Sequence, residues 1–437
     1  MLTEFLITVI LMISVPLWEH CGLPLPAKTA LCAVFALMFI VMLFRGGKKS
    51  DTDRRLRRLG RGCSLMRLAV RSAAAGILLF ILYNILFDDD GLALLLTYIV
   101  PTAVVLLTGA AGVLRIAVSS RQLRAADHIL MLTTWYFPFL DIIPIRTFYK
   151  KGYSEYIAEK TRIELDAARA ENEICRTKYP ILLVHGIFFR DWQLMNYWGR
   201  IPAALIKNGA DIHYGKQQSS NSLNESASEL VKTIQEVLAE TGASKVNIIA
   251  HSKGGLDSRY AISCLGADKY VASLTTVNTP HKGCDMVDFL LDKVPAPVKA
   301  FLERKYNSVF AKLGDTSPDF MAGVNALSAK TADGYDILMP DMPGVVYSSY
   351  MTVMNGMRSA GFPLNIGYLL IKKLNGENDG LVWEGSAAHG KYTLVKHDGK
   401  RGISHGDVID LFRENISGYD VREFYTGIVS SLKSQGL

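Results

Sequence analysis

The chain changes its hydrophobic rhythm near residue 179. Before that point long apolar runs alternate with short charged stretches. Four stand out, at roughly 4–18, 27–44, 69–87 and 92–114. A helix that crosses a bilayer needs about 20 apolar residues. The last run is uninterrupted by charge from Leu92 to Leu114 and contains Pro101, where a kink is expected. The first run is the shortest and ends near Pro16 and Trp18. Glu4 stands where a signal peptide would carry basic residues, and no clear small-x-small cleavage site follows. Runs one and two therefore fit a two-helix hairpin, and residues 1–128 read as an all-α transmembrane domain of about four helices.

Charge gives the topology. Residues 1–128 carry 14 Lys and Arg against 8 Asp and Glu, and the rest of the chain is almost balanced at 34 against 33. Ten of those basic residues lie between Arg45 and Arg71, including Lys48 and Lys49. Basic loops stay in the cytoplasm, which puts Asp88-Asp89-Asp90 outside and Arg115, Arg121 and Arg124 inside. The basic excess thus belongs to membrane topology and not to a nucleic-acid surface. Residues 129–178 form an interfacial segment and a helical linker. Ile129–Ile145 is apolar apart from Asp141 and holds Pro138 and Pro144. A crossing here would place Arg146, Lys150 and Lys151 on the outer face, against the charge rule, so an interfacial or re-entrant segment with Trp135, Tyr136 and Phe137 at headgroup level is preferred. Residues 153–178 read as a charged helix. With both termini in the cytoplasm, the C-terminal domain faces the cytoplasm, as expected for a protein of a bacterial cytoplasmic membrane.

From Tyr179 strands and helices alternate: a buried strand at 180–184, helical spacing over 223–241, a strand at 245–250, a helix at 254–264 and a strand at 273–277. That alternation implies an α/β domain over 179–437 with a mostly parallel sheet. Residues 285–350 are a long insertion that mixes Phe289, Leu290, Leu291, Phe301 and Phe310 with Lys293, Lys299, Arg304 and Lys305. A lid or acyl-binding subdomain and an extra packed helical layer are both compatible with the pattern. The six cysteines are scattered, without metal spacing, and read as free thiols.

The chemistry gathers around Ser252. The strand Val246–Ala250 runs into His251-Ser252-Lys253-Gly254-Gly255, and a helix follows. A nucleophile on such a strained strand–turn–helix elbow needs small residues two places before and after it, here Ala250 and Gly254. Together with Leu183-Val184-His185-Gly186-Ile187 upstream and Asn278-Thr279-Pro280-His281-Lys282-Gly283 downstream, the elbow resembles bacterial triacylglycerol lipases of the α/β-hydrolase fold over about residues 179–415. Ala250 departs from the glycine of many members, although others share the alanine.

The resemblance implies a serine hydrolase acting on lipid esters at a bilayer. It implies backbone N–H donors from Ile187 and Lys253 for the oxyanion. The acid and base follow the serine in chain order. Asp379, in Asn378-Asp379-Gly380-Leu381-Val382 after the strand-like run Gly367–Leu374, is the expected acid, with Glu377 as its neighbour and competitor. His405, after the strand Tyr392–Val395 and before a helical run at 407–415, is the expected base; His389 and His397 read as surface residues. His185 reads as a loop-holding residue. No cofactor is expected, except that some related lipases bind calcium through an aspartate placed like Asp407, which reads equally as a helix-start residue. Phospholipase A or acyltransfer activity on the same triad and a non-catalytic membrane scaffold remain the competing readings.

Overall fold

A computed structural model describes residues 2–14, 17, 20–47, 53–87, 91–134, 136–137, 140–187, 197–218, 220–312 and 318–437. Pro16, Trp18, Lys48, Lys49, the Asp88–Asp90 loop, Trp135 and Pro138 lie outside the described residues. The chain divides into two compact units, Met1–Leu165 and Asp166–Leu437.

The first unit is helical: α1 (Leu2–Ser14), α2 (Leu25–Phe44), α3 (Arg54–Leu86), α4 (Leu92–Ala117), α5 (Ala125–Thr134) and most of α6 (Ile142–Arg169). Among the described residues α2, α3 and α4 are long and apolar enough to cross a membrane, with mean hydropathies of 2.3, 1.9 and 2.0 over their best windows. α1, the first of the four expected apolar helices, has 13 residues and rises about 20 Å, short of the roughly 30 Å of a hydrocarbon core. Leu11, Met12, Phe39, Met42, Leu65, Leu68 and Val104 pack together inside the unit, whereas Leu37, Val41, Ile77, Ile81, Leu106 and Leu107 point outward. That inside-out distribution suits helices whose solvent is lipid. Some buried polar groups pair across the helices: Thr8 Oγ1 lies 3.1 Å from Ser72 Oγ, and Arg61 Nη1 donates to Glu4 Oε1 at 2.7 Å. The 129–145 segment is no single helix. It is shared between the end of α5 and the start of α6, with Leu132, Tyr136, Phe137, Leu140, Ile142 and Ile143 exposed. Glu155 on α6 is buried and receives Arg55, Ser120 Oγ at 2.6 Å and the Arg121 N–H at 3.0 Å.

The second unit is built on a six-stranded sheet, every neighbouring pair parallel, in the order β2-β1-β3-β4-β5-β6. The strands are β1 (Ile181–Val184), β2 (Ile212–Tyr214), β3 (Val246–His251), β4 (Val271–Val277), β5 (Val346–Thr352) and β6 (Lys391–Val395). Successive residues of a strand face opposite layers. Ile181, Leu183 and Ile249 therefore pack with α7 (Ile201–Lys207) and α13 (Val421–Ser434), through Leu205, Tyr425 and Val429. Leu182, Val184, Ile248 and Ala250 pack against α8 (Leu223–Thr241) and α9 (Lys253–Cys264), through Leu230, Ile234 and Ala261. Ser222 caps α8 by accepting from the Glu225 N–H, and Gly242 ends it in the left-handed conformation.

Four expectations are corrected. Gly367–Leu374 is no strand but the end of α12 (Leu364–Leu374); its apolar residues fall on helical spacing, with Tyr368 and Ile371 turned inward. The 407–415 run is a single tight turn at Asp407–Ile409, because Asp410 and Arg413 both adopt positive φ and stop any helix. The insertion ends before residue 346, since Val346–Thr352 belongs to the sheet; its long helices are α10 (Asp285–Lys293) and α11 (Ala296–Lys312). The charged helix starts at Ile142, not at 153, and ends at Arg169.

Candidate active site

Ser252 lies between the last residue of β3 and the first of α9, with φ 54° and ψ −130°. A side chain at positive φ stores strain that its surroundings must hold. Here the Ser252 N–H donates to Val277 O at 3.1 Å, and Ser252 O accepts from Gly255 N at 3.0 Å and Thr279 Oγ1 at 2.8 Å. The turn following β4 thus clamps the elbow.

Asp379 is fully buried. Its Oδ1 accepts the N–H groups of Leu381 at 2.9 Å and Val382 at 2.8 Å. Its Oδ2 faces His405 Nδ1 at 2.6 Å and accepts from Asn278 Nδ2 at 2.5 Å. With the carboxylate accepting at Nδ1, the Nε2 lone pair of the imidazole is free to act as base. The His405 N–H also donates to Asp379 O at 2.9 Å, so acid and base are joined by side chain and backbone. The His405 ring centroid is 4.5 Å from that of His251, the residue before Ser252, which stands the imidazole beside the elbow.

Both oxyanion candidates adjoin the Ser252 elbow. Ile187 follows His185 and Gly186 at the end of β1, and a Cβ on Gly186 would come within 2.8 Å of the Ser252 Cβ. Lys253 is the first residue of α9. His185 is buried, with Nδ1 2.9 Å from Gly186 O and Nε2 3.1 Å from Gln217 O, a loop-holding arrangement.

The competitors are engaged elsewhere. Glu377 pairs with Lys396. His389 is half-buried and faces Asp341 Oδ1 at 2.8 Å; His397 is half-buried between Arg401 O and Ser417 O. Neither is the free surface histidine expected. Asp407 does not fit a calcium ligand: Oδ1 accepts from Arg401 Nη2 at 2.7 Å, and Oδ2 from Ser404 N at 3.0 Å and Ser404 Oγ at 2.7 Å. A guanidinium occupies the place a cation would take. Among the described residues no group of three or more His, Cys, Asp or Glu could hold a metal.

Sequence reasoning missed Asn278 and Tyr197. Asn278, at φ 49°, donates to Asp379 and to Thr352 Oγ1, and its Oδ1 accepts from Thr352 N. It belongs to the Asn-Thr-Pro-His motif that carried part of the resemblance, so a signal was present. Tyr197 Oη accepts from Gly186 N at 2.9 Å and meets His251 Nδ1 at 2.6 Å; no local pattern marks it.

Burial holds His251 and His281 well below the ordinary histidine range, helped by the nearby His405 ring for the former and by His389 and Arg259 for the latter. Burial also lowers His389. An imidazole kept neutral in the fold and free to protonate in the unfolded chain gives stability present above about 6.5 and lost as the pH falls below it. Each fully buried one contributes a slope of up to about 1.4 kcal/mol per pH unit. Asp257, raised to about 6 by burial, works in the opposite sense between about 6 and the ordinary aspartate value of 3.8 and offsets one histidine there. The expected result is a lower urea midpoint at pH 5.5 than at pH 7.5, with the drop reduced in His281→Gln. Equal midpoints for the wild type would contradict the neutral burial.

Comparison with known proteins finds lipase relatives of the second unit. A family model described as palmitoyl protein thioesterase matches residues 180–317. A triacylglycerol lipase of Burkholderia plantarii is 33% identical over 186 residues, 40% of this chain and 51% of the relative. One from Pseudarthrobacter phenanthrenivorans is 34% identical over 176 residues, 38% of this chain and 54% of the relative. One from Pseudomonas fragi is 28% identical over 293 residues, 60% of this chain and 98% of the relative. The chain thus spans about half the length of the first two of these relatives. A mature Bacillus licheniformis lipase of known structure is 23% identical, with 54% of this chain and 88% of that one covered at a TM-score of 0.42. The parallel sheet and its strand–serine–helix elbow define the second unit as an α/β-hydrolase fold, and its sequence is lipase-like.

Proposed function

We propose that the chain is a membrane-anchored serine esterase that hydrolyses carboxylic esters of lipids. The observation that carries this reading is the buried Asp379–His405 pair standing beside a serine held at positive φ. Ser252 Oγ attacks the ester carbonyl while His405 Nε2 takes its proton. The N–H groups of Ile187 and Lys253 receive the oxyanion, each contributing about 3 kcal/mol to the barrier reduction. His405 then protonates the departing alcohol, leaving an acyl-serine that water hydrolyses by the same route. No metal or cofactor enters these steps.

The three apolar helices keep the enzyme at its substrate. The Arg-rich start of α3 sets the cytoplasmic side of a bacterial membrane. Because α3 and α4 cross and return, the second unit faces the cytoplasm whether or not α1 enters the bilayer. α10 and α11, with Phe289, Leu290, Val298, Phe301 and Leu302 exposed, serve as the lid or acyl-binding insertion. The matching family model gives specific support to a second reading, an acyl thioester substrate on the same triad; phospholipase A or acyltransfer chemistry would use it equally.

Labelling of the detergent-solubilised full chain with a fluorophosphonate probe tests the reading. Wild type is expected to label, and Ser252→Ala to lose labelling and ester hydrolysis together. A folded wild type that neither labels nor cleaves p-nitrophenyl esters in detergent or lipid would overturn it. Turnover of glycerides, phospholipids and acyl thioesters, compared side by side, then separates the substrate classes.

A further inference from the structure

The residue after a nucleophilic serine contributes its backbone N–H, which places no demand on its side chain. A solvent-facing residue would serve. In this chain the position is a lysine with no exposed surface at all. An ammonium taken out of water costs several kcal/mol unless it is paired and hydrogen-bonded, so its burial requires a compensating arrangement, and one is present. Lys253 Nζ donates to Asp257 Oδ1 at 2.6 Å, one turn along α9, and to Ser226 Oγ at 3.1 Å from α8. Both partners are buried, Asp257 at 2% exposure and Ser226 at none.

The contacts continue beyond the pair. Ser226 Oγ donates to Gln218 O at 3.3 Å. The neighbouring Gln217 is buried, accepts from His185 Nε2 through its carbonyl and donates Nε2 to His185 O at 3.1 Å. His185 stands two residues before Ile187. One buried polar layer therefore runs from the side chain of the first oxyanion candidate to the backbone that carries the second. Among charged and titratable groups, Glu229 on α8 and Tyr335 within the insertion also face Asp257; Glu229 is occupied by Gln218, whose N–H and Nε2 both donate to it at 2.6 Å.

We propose that the Lys253 side chain is a positioning residue: clamped by Asp257 and Ser226, it fixes the first turn of α9 so that the Lys253 N–H is aimed at the oxyanion before substrate arrives. This inference rests on the proposed esterase function. The clamp acts on the transition state, because the ester carbonyl needs the N–H only once negative charge develops on its oxygen. Loosening it lowers kcat and weakens oxyanion mimics while KM stays constant. A merely structural pair would change stability and leave that split untouched.

The test uses full-length protein in detergent at pH 8, with p-nitrophenyl butyrate as substrate and an alkyl trifluoromethyl ketone as the oxyanion-forming inhibitor. Asp257→Asn is expected to lower kcat about 10-fold and raise the inhibitor constant about equally, with KM within twofold; losing one oxyanion donor outright costs about 10²–10³. Ser226→Ala leaves the charge pair intact and is expected to act in the same direction by about threefold, which keeps the test decisive if Asp257→Asn folds poorly. Unchanged kcat and inhibitor constant in the folded variants, or a parallel rise of KM and inhibitor constant, would overturn the proposal while leaving an active wild type and its esterase reading in place. An inactive wild type would remove the esterase reading itself and this inference with it.

Discussion

Asp379→Asn is expected to lower kcat for ester hydrolysis about 10⁴-fold, the size of effect seen when a serine hydrolase loses its tautomer-setting carboxylate. The reason is that every partner of the Asp379 carboxylate is a donor. Leu381 N and Val382 N donate to Oδ1; Asn278 Nδ2 donates to Oδ2, and His405 Nδ1 faces Oδ2 as well. An asparagine must turn its amide nitrogen toward one of these pairs. Facing His405, the nitrogen would require Nδ1 to accept, which moves the proton to Nε2 and blocks the base. Facing Leu381 and Val382, it would set three donors against one another in a site without exposure. Either orientation also costs about 1–3 kcal/mol of stability through an unsatisfied buried group. Steady-state kinetics beside circular dichroism would check both parts. A folded variant within 10-fold of wild type would remove Asp379 from the triad.

Gly254→Ala is expected to lower the rate about 10²-fold, by a different route. A Cβ at this position would lie 2.4 Å from His185 O and 2.9 Å from Val184 O, both backbone atoms that cannot rotate away. The start of α9 would have to move off the end of β1, and these two segments carry the two oxyanion candidates. A displacement near 1 Å costs about 10²-fold in rate, and forcing atoms into a packed region costs about 1–3 kcal/mol. Gly427→Ala on α13 is the matched control: nothing lies within 4 Å of its Cβ position. Helix propensity alone then applies, so that variant should equal or exceed wild type in stability and retain full rate. If Gly254→Ala behaved like the control, the close approach of α9 to β1 would not be required for the elbow.

These effects centre on residues that local patterns made readable. Ser252 was legible because its strand, its turn and its helix are contiguous and because Ala250 and Gly254 meet a steric rule. The β1, β3 and β4 segments are buried on both faces and read as apolar runs. Asp379 and His405 rested on motif resemblance, and part of the reasoning around them failed. The run before the acid forms a helix where a strand was expected, since short apolar segments of that length do not distinguish the two periods. The turn after the base stops at Asp410, whose positive φ no propensity announces. β2 has three half-buried residues, too few to stand out. β5 hid at the end of the insertion because its Ser348, Ser349 and Thr352 are polar, satisfied by Thr275, His389 O and Asn278 in that order. Tyr197 could not be found from its neighbours, since its partners at Gly186 and His251 come from two different strand ends.

The connection from β4 to β5 occupies residues 278–345. Two adjacent parallel strands can be joined by a crossover of little more than a dozen residues, so the fold itself asks for a small part of that length. The remainder is free of the duty of holding the sheet together. α10 and α11 lie in that remainder, apart along the chain from Ser252, Asp379 and His405. Exchanging these two helices alone between relatives would leave Asn278 and Thr279, at the start of the connection, in place against Asp379 and Ser252.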